Sequence, residues 1–120
     1  MLRILTFFVG ILFILVAILG FMPEFISEGR FLGIFAINSI NNIAHLATGV
    51  IALLCALKSS RTCTYFFIVL GIIYGILAIL GLYDSSMTIF QFITTNAANN
   101  FFHATLALIA LYIGFTSLRT

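Results

Sequence analysis

Four long apolar stretches, separated by short polar segments, dominate the pattern of hydrophobic and polar positions along the chain. They cover roughly residues 4–22, 38–57, 64–83 and 97–118, and each contains almost no charge. About 20 apolar residues in a helix cross the roughly 30 Å hydrocarbon core of a bilayer. A continuous run of this length satisfies its backbone groups in lipid only as a helix. The pattern therefore predicts an all-α membrane protein with four transmembrane helices.

An internal repeat links the second span to the fourth, because both begin with the frame N-x-x-N-N-x-x-H without a gap. The aligned residues are Asn38, Asn41, Asn42 and His45 in the second span and Asn96, Asn99, Asn100 and His103 in the fourth. The first and third spans match at Gly10 and Gly71, and through Ala-Ile-Leu-Gly runs that end at Gly20 and Gly81. Because each copy holds two spans, both copies enter the membrane in the same direction. The sequence thus predicts two parallel tandem hairpin repeats, residues 1–57 and 58–120, which together form one membrane domain.

The motif residues share one face of each helix when the chain advances by about 100° per residue. Small residues continue these faces: Gly49, Ala52 and Ala56 in the second span, and Ala107, Ala110 and Gly114 in the fourth. Amide and imidazole groups would be unsatisfied in lipid, so both faces are predicted to point into the bundle. Small residues spaced by four, such as Gly71 and Gly75 in the third span, allow membrane helices to approach closely.

The two outer connections, residues 23–37 and 84–95, are too apolar for free loops and too short to span a membrane. They are predicted to be interfacial helices, or caps over the outer end of the bundle. The inner connection, around residues 58–61, is predicted to be a tight turn.

Composition and charge exclude some classes of protein and indicate an orientation. With 63% hydrophobic and 7% charged residues, the chain cannot supply the surface of a soluble domain, and its net charge of +2 does not indicate nucleic-acid binding. Four of the five bases, Arg3, Lys58, Arg61 and Arg119, fall on one side of a four-span arrangement, whereas Arg30 and all the acids fall on the other. The positive-inside rule then predicts cytoplasmic N- and C-termini.

Several of these segments resemble a bacterial membrane family catalogued as domain of unknown function 4383. The resemblance rests on the stretch Gly20-Phe-Met-Pro23, on the run from Leu32 into the first motif, and on the second motif, and it covers essentially the whole chain. It implies the four-helix membrane fold and no established activity. The family typically has His where this chain has Asn41 and Asp where it has Asn99, so one imidazole and one carboxylate are missing here.

The asparagine and histidine cluster leaves several functions open, and the first is structural. Asparagine at a helix start caps free N–H groups, and asparagine hydrogen bonds between membrane helices contribute about 1 kcal/mol or less each. Such bonds would hold the two repeats in register. The protein would then act as a structural or interaction module. Its partners would be the bilayer and a second copy of the chain or another membrane protein.

Haem b is the main alternative, because His45 and His103 lie one in each repeat, at equal depth and on inward faces. They are candidate axial ligands of haem iron, and no other metal is expected. The candidate residues around them, which would fix the imidazole tautomers, are Asn38, Asn41, Asn42, Asn96, Asn99 and Asn100. Zinc or copper binding and small-solute transport are weaker alternatives, since the cluster lacks four N or S ligands and the spans lack Asp and Glu. No nucleophile paired with a base, no carboxylate pair and no phosphate loop indicates an enzyme.

Overall fold

The computed structural model describes residues 1–83, 88–89 and 93–119. Within these ranges there are four α-helices: α1 Leu2–Gly20, α2 Ser39–Lys58, α3 Ser60–Tyr83 and α4 Ala97–Ser117. Each is long and apolar enough to cross a membrane. The described structure is mostly helical, and the prediction of four helices that are long and apolar enough to span a membrane is confirmed.

The helices pack mainly as two pairs, α1 on α2 and α3 on α4, with smaller contacts of α3 with α2 and with α1. Arg3, at the start of α1, bonds to the end of α2. Its Nε donates to the carbonyl oxygen of Ala56 (2.6 Å) and its Nη2 to that of Leu57 (2.9 Å), two of the free carbonyls at the end of α2. We call this end of the bundle the loop end. The opposite end, where α2 and α4 begin, is the sheet end.

Small residues bring the paired helices close together. An added Cβ at Gly49 of α2 would lie 2.7 Å from the carbonyl oxygen of Gly10 and 2.6 Å from Cγ1 of Ile14, both on α1. An added Cβ at Gly114 of α4 would lie 2.6 Å from Cγ1 of Ile68 on α3. Because lipid tails are as apolar as the helix surfaces, this close van der Waals contact is what favours helix pairing over lipid contact.

Burial along α2 and α4 follows the faces that the sequence predicts. The buried residues of α2 are Asn41, Asn42, Gly49, Ala52 and Ala56, and those of α4 are Asn99, Asn100, His103, Ala107, Ala110 and Gly114. Large apolar side chains such as Phe8, Ile79 and Leu108 are exposed on the outside of the bundle, as expected for a surface in contact with lipid.

The connection between α1 and α2 differs from the prediction. A single 3-10 turn, Pro23–Phe25, leads into the strands β1 Ile26–Ser27, β2 Arg30–Phe31 and β3 Phe35–Ala36. They form an antiparallel sheet in the order β1-β2-β3. The interfacial helix predicted for residues 23–37 is therefore wrong, and a small sheet occupies this segment.

Two turns with left-handed backbone explain why this segment is a sheet. Glu28 and Gly29 have φ of 53° and 75°, and Leu32 and Gly33 have φ of 55° and 73°. Consecutive residues with positive φ reverse the chain as type I′ hairpin turns, whereas a right-handed helix cannot contain them. Reversals this close together leave room only for strands of two residues.

The connection between α3 and α4 is described in part. Strands β4 Thr88–Ile89 and β5 Ile93–Thr94 pair antiparallel, so the described part of this segment is also not the predicted helix. Residues 84–87 and 90–92, which include Asp84, lie outside the described residues. Strand β3 lies in the connection between α1 and α2 but contacts α4, and β5 lies in the connection between α3 and α4 but contacts α2.

The close approach of α1 and α2 can be tested by adding one methyl group. Gly49→Ala places a Cβ against the backbone of Gly10 and should lower the stability by about 1–3 kcal/mol, since overpacking of this kind forces the helices apart. Gly75→Ala is the matched control, because its Cβ would lie 3.7 Å from that of Ala107, an ordinary contact. Thermal unfolding in detergent measures both variants, and equal losses would contradict the assigned interface.

Candidate functional site

Helices α2 and α4 begin with the same cap. Asn38 and Asn96 precede them in extended conformation, and their side-chain oxygens accept hydrogen bonds from the N–H groups of Asn41 (2.8 Å) and Asn99 (3.0 Å). Each bond satisfies one of the free N–H groups at a helix start. The first and second asparagines of each motif therefore set the position at which the helix begins.

Asn99 connects α4 to the sheet. Its Oδ1 accepts from the N–H of Ala36 (2.9 Å) and its Nδ2 donates to the carbonyl of the same residue (3.2 Å), and both bonds are buried. Because β3 is an edge strand, the Asn99 amide occupies the place of a neighbouring strand. Asn96 adds a bond from its Nδ2 to the carbonyl of Ile34 (3.0 Å), two residues earlier on the same edge.

Helix α2 reaches the same strand through Asn41. Its Nδ2 donates to the carbonyl of Ala36 at 3.4 Å. The carbonyl of Ala36 thus accepts from side chains of both α2 and α4. Strand β3 therefore joins the first turns of these two helices.

The third asparagine of each motif packs on the preceding helix. The Oδ1 atoms of Asn42 and Asn100 occupy the positions that a Cβ would take at Gly20 and Gly81, the glycines near the ends of α1 and α3. Any larger residue at either glycine would displace the carboxamide. These contacts explain why the sequence has glycine at both positions.

The two carboxamides differ in their hydrogen bonds. The hydroxyl of Thr95, which is fully buried, donates to Oδ1 of Asn100 at 2.9 Å. Oδ1 of Asn42 is buried and has no hydrogen-bond partner in the described part of the chain. Ile37 stands before the first motif where Thr95 stands before the second. The first copy therefore lacks the hydroxyl that satisfies the second.

His45 and His103 lie about two turns into their helices and line the same cavity. His103 is buried and His45 is half-buried. The ring of Phe13 meets His45 edge-on at 5.9 Å, the ring of Tyr74 meets His103 at 5.1 Å, and Phe13 and Tyr74 are 6.0 Å apart, all between ring centroids. Four rings therefore form a continuous row across the bundle, with one imidazole at each end.

The cavity has a volume of about 110 Å³, which is smaller than an apolar cavity of about 150 Å³ that holds benzene. Haem b is several times larger than benzene and would require the helices beside the two histidines to lie further apart. Asn41, Asn96 and Asn99 bond to backbone groups instead, and Asn100 accepts from Thr95. Among the described residues, Nδ1 of neither histidine has a partner. Within the same residues, no group of three or more His, Cys, Asp or Glu side chains could hold a metal ion.

The motif residues identified from the sequence include four buried asparagines and the buried His103, but several of their partners were not predicted. Thr95 could have been found by comparing the residues that directly precede the two motifs. Phe13 and Tyr74 each follow the paired glycines Gly10 and Gly71 by three residues. Ala36 contributes backbone atoms alone, so no side-chain pattern could identify it.

The fold and the site define a multi-pass α-helical membrane protein whose interior contains amide and imidazole groups. The family profile described as Domain of unknown function (DUF4383) matches residues 3–116. The chain therefore belongs to this family, as the resemblance of its motifs predicted. Comparisons with curated proteins and with solved structures found no match.

The difference between the two carboxamides predicts opposite effects of one hydroxyl group. Thr95→Val keeps the shape of the side chain but leaves Oδ1 of Asn100 unsatisfied, and should cost about 1–3 kcal/mol of stability. Ile37→Thr should be more stable than its isosteric control Ile37→Val by about 1 kcal/mol, because only threonine can donate to Oδ1 of Asn42. Unfolding in detergent measures all three variants. If the proteins with valine and with threonine were equally stable at both positions, these hydroxyls would have no role in stability.

Proposed function

We propose that the protein is a structural and interaction module of the bacterial inner membrane, not an enzyme. Its asparagine cluster would hold two tandem helical-hairpin repeats, residues 1–57 and 58–120, in one arrangement. The observation that carries this proposal is the pair of buried bonds from Asn99 to Ala36, because they join the second repeat to the connection of the first. Each asparagine bond between membrane segments contributes about 1 kcal/mol or less, so several together are needed to favour one register.

Equivalent contacts in the two halves support the repeat. Gly20 lies against Asn42 as Gly81 lies against Asn100. The motif histidines face rings at matching positions of the preceding helices, Phe13 for His45 and Tyr74 for His103. Gly10 and Gly71 also have matching neighbours, Leu53 and Leu111. Duplication of one hairpin accounts for all these pairs with a single event.

The charges support cytoplasmic termini. Arg3 binds the end of α2 at the loop end, where Lys58 and Arg61 also lie, whereas Arg30 belongs to the sheet. More bases at the loop end than at the sheet end favour a cytoplasmic loop end. The lipid bilayer is the first partner, and a second copy of the chain or another membrane protein is the second.

The bonds to Ala36 predict a specific effect of Asn99→Ala. This variant removes the partner of the Ala36 N–H and leaves the Ala36 carbonyl with only the longer bond from Asn41, so it should lower the stability by about 1–3 kcal/mol. The amide hydrogen of Ala36 should also exchange faster, which hydrogen exchange followed by mass spectrometry can measure. Thr105→Ala is the control on the same helix, since the exposed Thr105 hydroxyl bonds to the Phe101 carbonyl, and surface changes of this kind cost about 0.5 kcal/mol or less.

The absorption spectrum and the metal content of the purified protein distinguish the structural proposal from haem binding. Protein from cells supplied with iron and a haem precursor should show no Soret band and no bound metal by elemental analysis. A Soret band that disappears in both His45→Ala and His103→Ala would replace the structural proposal with haem ligation. Unchanged hydrogen exchange at Ala36 in Asn99→Ala would also contradict it.

Two reporter positions test the orientation. A reporter that is active only outside the cytoplasm should be inactive after the C-terminal residue, because the loop end carries most of the basic residues. The same reporter inserted between Glu28 and Gly29 should be active. That turn is exposed, and no atom lies within 4 Å of an added Cβ at Gly29, so an insertion there is compatible with the fold. The reverse activities would mean that the loop end faces outward.

A further inference from the structure

An open pocket lies at the loop end of the bundle, between the first two turns of α3 and the end of α4. Helix α3 contributes four side chains with polar groups to it, namely Ser60, Arg61, Thr64 and Tyr65. Leu2 of α1 and Leu118, directly after α4, contribute apolar surface. The pocket therefore combines one cation and several hydroxyl groups with apolar side chains.

A comparison with the other pair of helices explains why this pocket is open. Arg3 and Thr64 each lie seven residues before the paired glycines Gly10 and Gly71. The Arg3 guanidinium reaches across to the carbonyls at the end of α2. The shorter Thr64 donates its hydroxyl to the carbonyl of Ser60 in its own helix, at 3.2 Å. The space between α3 and the end of α4 is therefore not filled by a side chain equivalent to that of Arg3.

Arg61 is a cation without a partner in the protein. It is exposed and makes no hydrogen bond or ion pair with a described residue. All three acids of the chain belong to the two connections at the sheet end, so no acidic side chain at the loop end competes for it. A guanidinium presents a fork of N–H donors that matches two oxygen atoms of a phosphate group.

The depth of the pocket is that of phospholipid headgroups. Helix α3 has 24 residues, so it is about 36 Å long and exceeds the roughly 30 Å of the hydrocarbon core. Its first turn holds Ser60 and Arg61, and this turn therefore extends into the headgroup region. Tyr65 follows one turn later and is 54% exposed, as is typical of tyrosine at the membrane–water interface.

We infer that this pocket binds the headgroup phosphate of an anionic phospholipid in the leaflet at the loop end. Arg61 and the hydroxyls of Ser60 and Tyr65 donate to the phosphate oxygens, and the first carbons of the acyl chains lie against Leu2 and Leu118. The inference specifies the lipid partner of the proposed membrane module, and it rests on that proposal only for the spanning helices.

Native mass spectrometry can count the lipids bound to the purified chain during a titration with phosphatidylglycerol. Phosphatidylcholine with the same acyl chains is the reference, because its ammonium group compensates the phosphate charge. We expect saturable binding of one phosphatidylglycerol, tighter than that of phosphatidylcholine. Arg61→Gln should weaken phosphatidylglycerol binding about tenfold, the effect of one lost charge-assisted contact.

Lys58→Gln is the matched control. It removes the same charge at the same end of the bundle, but Lys58 does not line the pocket. The affinity for phosphatidylglycerol should change less than about twofold, because salt screens exposed charges that do not contact the lipid.

Thr64→Arg tests the pocket in the opposite way, by adding the residue that the first pair has at this position. The new guanidinium should occupy the pocket and bond to carbonyls at the end of α4, as Arg3 does at the end of α2. Binding of phosphatidylglycerol should then weaken although the net charge rises, which a non-specific attraction cannot produce. The comparison of Arg61→Gln with Lys58→Gln decides the matter even if Thr64→Arg fails to fold.

Three results would overturn the inference. One is phosphatidylglycerol binding no tighter than that of phosphatidylcholine. Another is an equal loss of affinity in Arg61→Gln and Lys58→Gln, which would indicate a diffuse attraction to the basic end. The third is equally tight binding of glycerol phosphate, which would indicate a site for a soluble phosphate compound. Hydrogen exchange at Ala36 should be unchanged in Arg61→Gln, so this test is separate from that of Asn99→Ala.

Discussion

The backbone of Ala36 is the point on which the sheet end of the bundle depends. Its N–H and carbonyl lie on the open edge of a three-stranded sheet and are buried against helices, so they need partners inside the protein. Asn99 supplies both partners, and Asn41 shares the carbonyl. Asn96 accepts a hydrogen bond from the N–H of Asn99, which ties both residues to the first turn of α4. Because Asn99 also bonds to Ala36, this turn is held against β3, a strand far away in sequence. The asparagine-rich starts of the two helices are therefore one connected unit.

The same unit explains why an amide is well suited to position 99. A carboxamide both donates and accepts, as a peptide group does, so Asn99 pairs with both sides of Ala36. An ionised carboxylate at this position, the residue that the family resemblance implies, could accept from the N–H but could not donate to the carbonyl. Asparagine at position 99 therefore makes both hydrogen bonds, but it carries no charge and cannot support the chemistry that a charged carboxylate allows.

Residues of the hydrogen-bonded unit also line the cavity that contains the two histidines. Ala36 and Asn99 line the cavity beside the two imidazoles, so the bonds that hold β3 against α4 also hold part of the cavity wall in place. The amides of Asn41 and Asn99 bond to the backbone of Ala36 and that of Asn100 accepts from Thr95, whereas the imidazole Nδ1 atoms have no partner in the described part of the chain. The motif therefore contains two kinds of polar residue with different contacts: asparagines that bond to other parts of the protein and histidines that pack against the rings of Phe13 and Tyr74.

The sequence by itself determined the number of spans and the inward faces of α2 and α4, because apolar length and helical periodicity report directly which residues contact lipid. The positive-φ turns at Glu28–Gly29 and Leu32–Gly33 are harder to recognise from sequence, and a sheet forms in the segment for which the sequence predicts an interfacial helix or a cap. Only the tertiary structure decided the partner of Asn99 and the size of the cavity. The partner is a backbone group far away in sequence, and a cavity volume depends on distances between helices that no local pattern encodes.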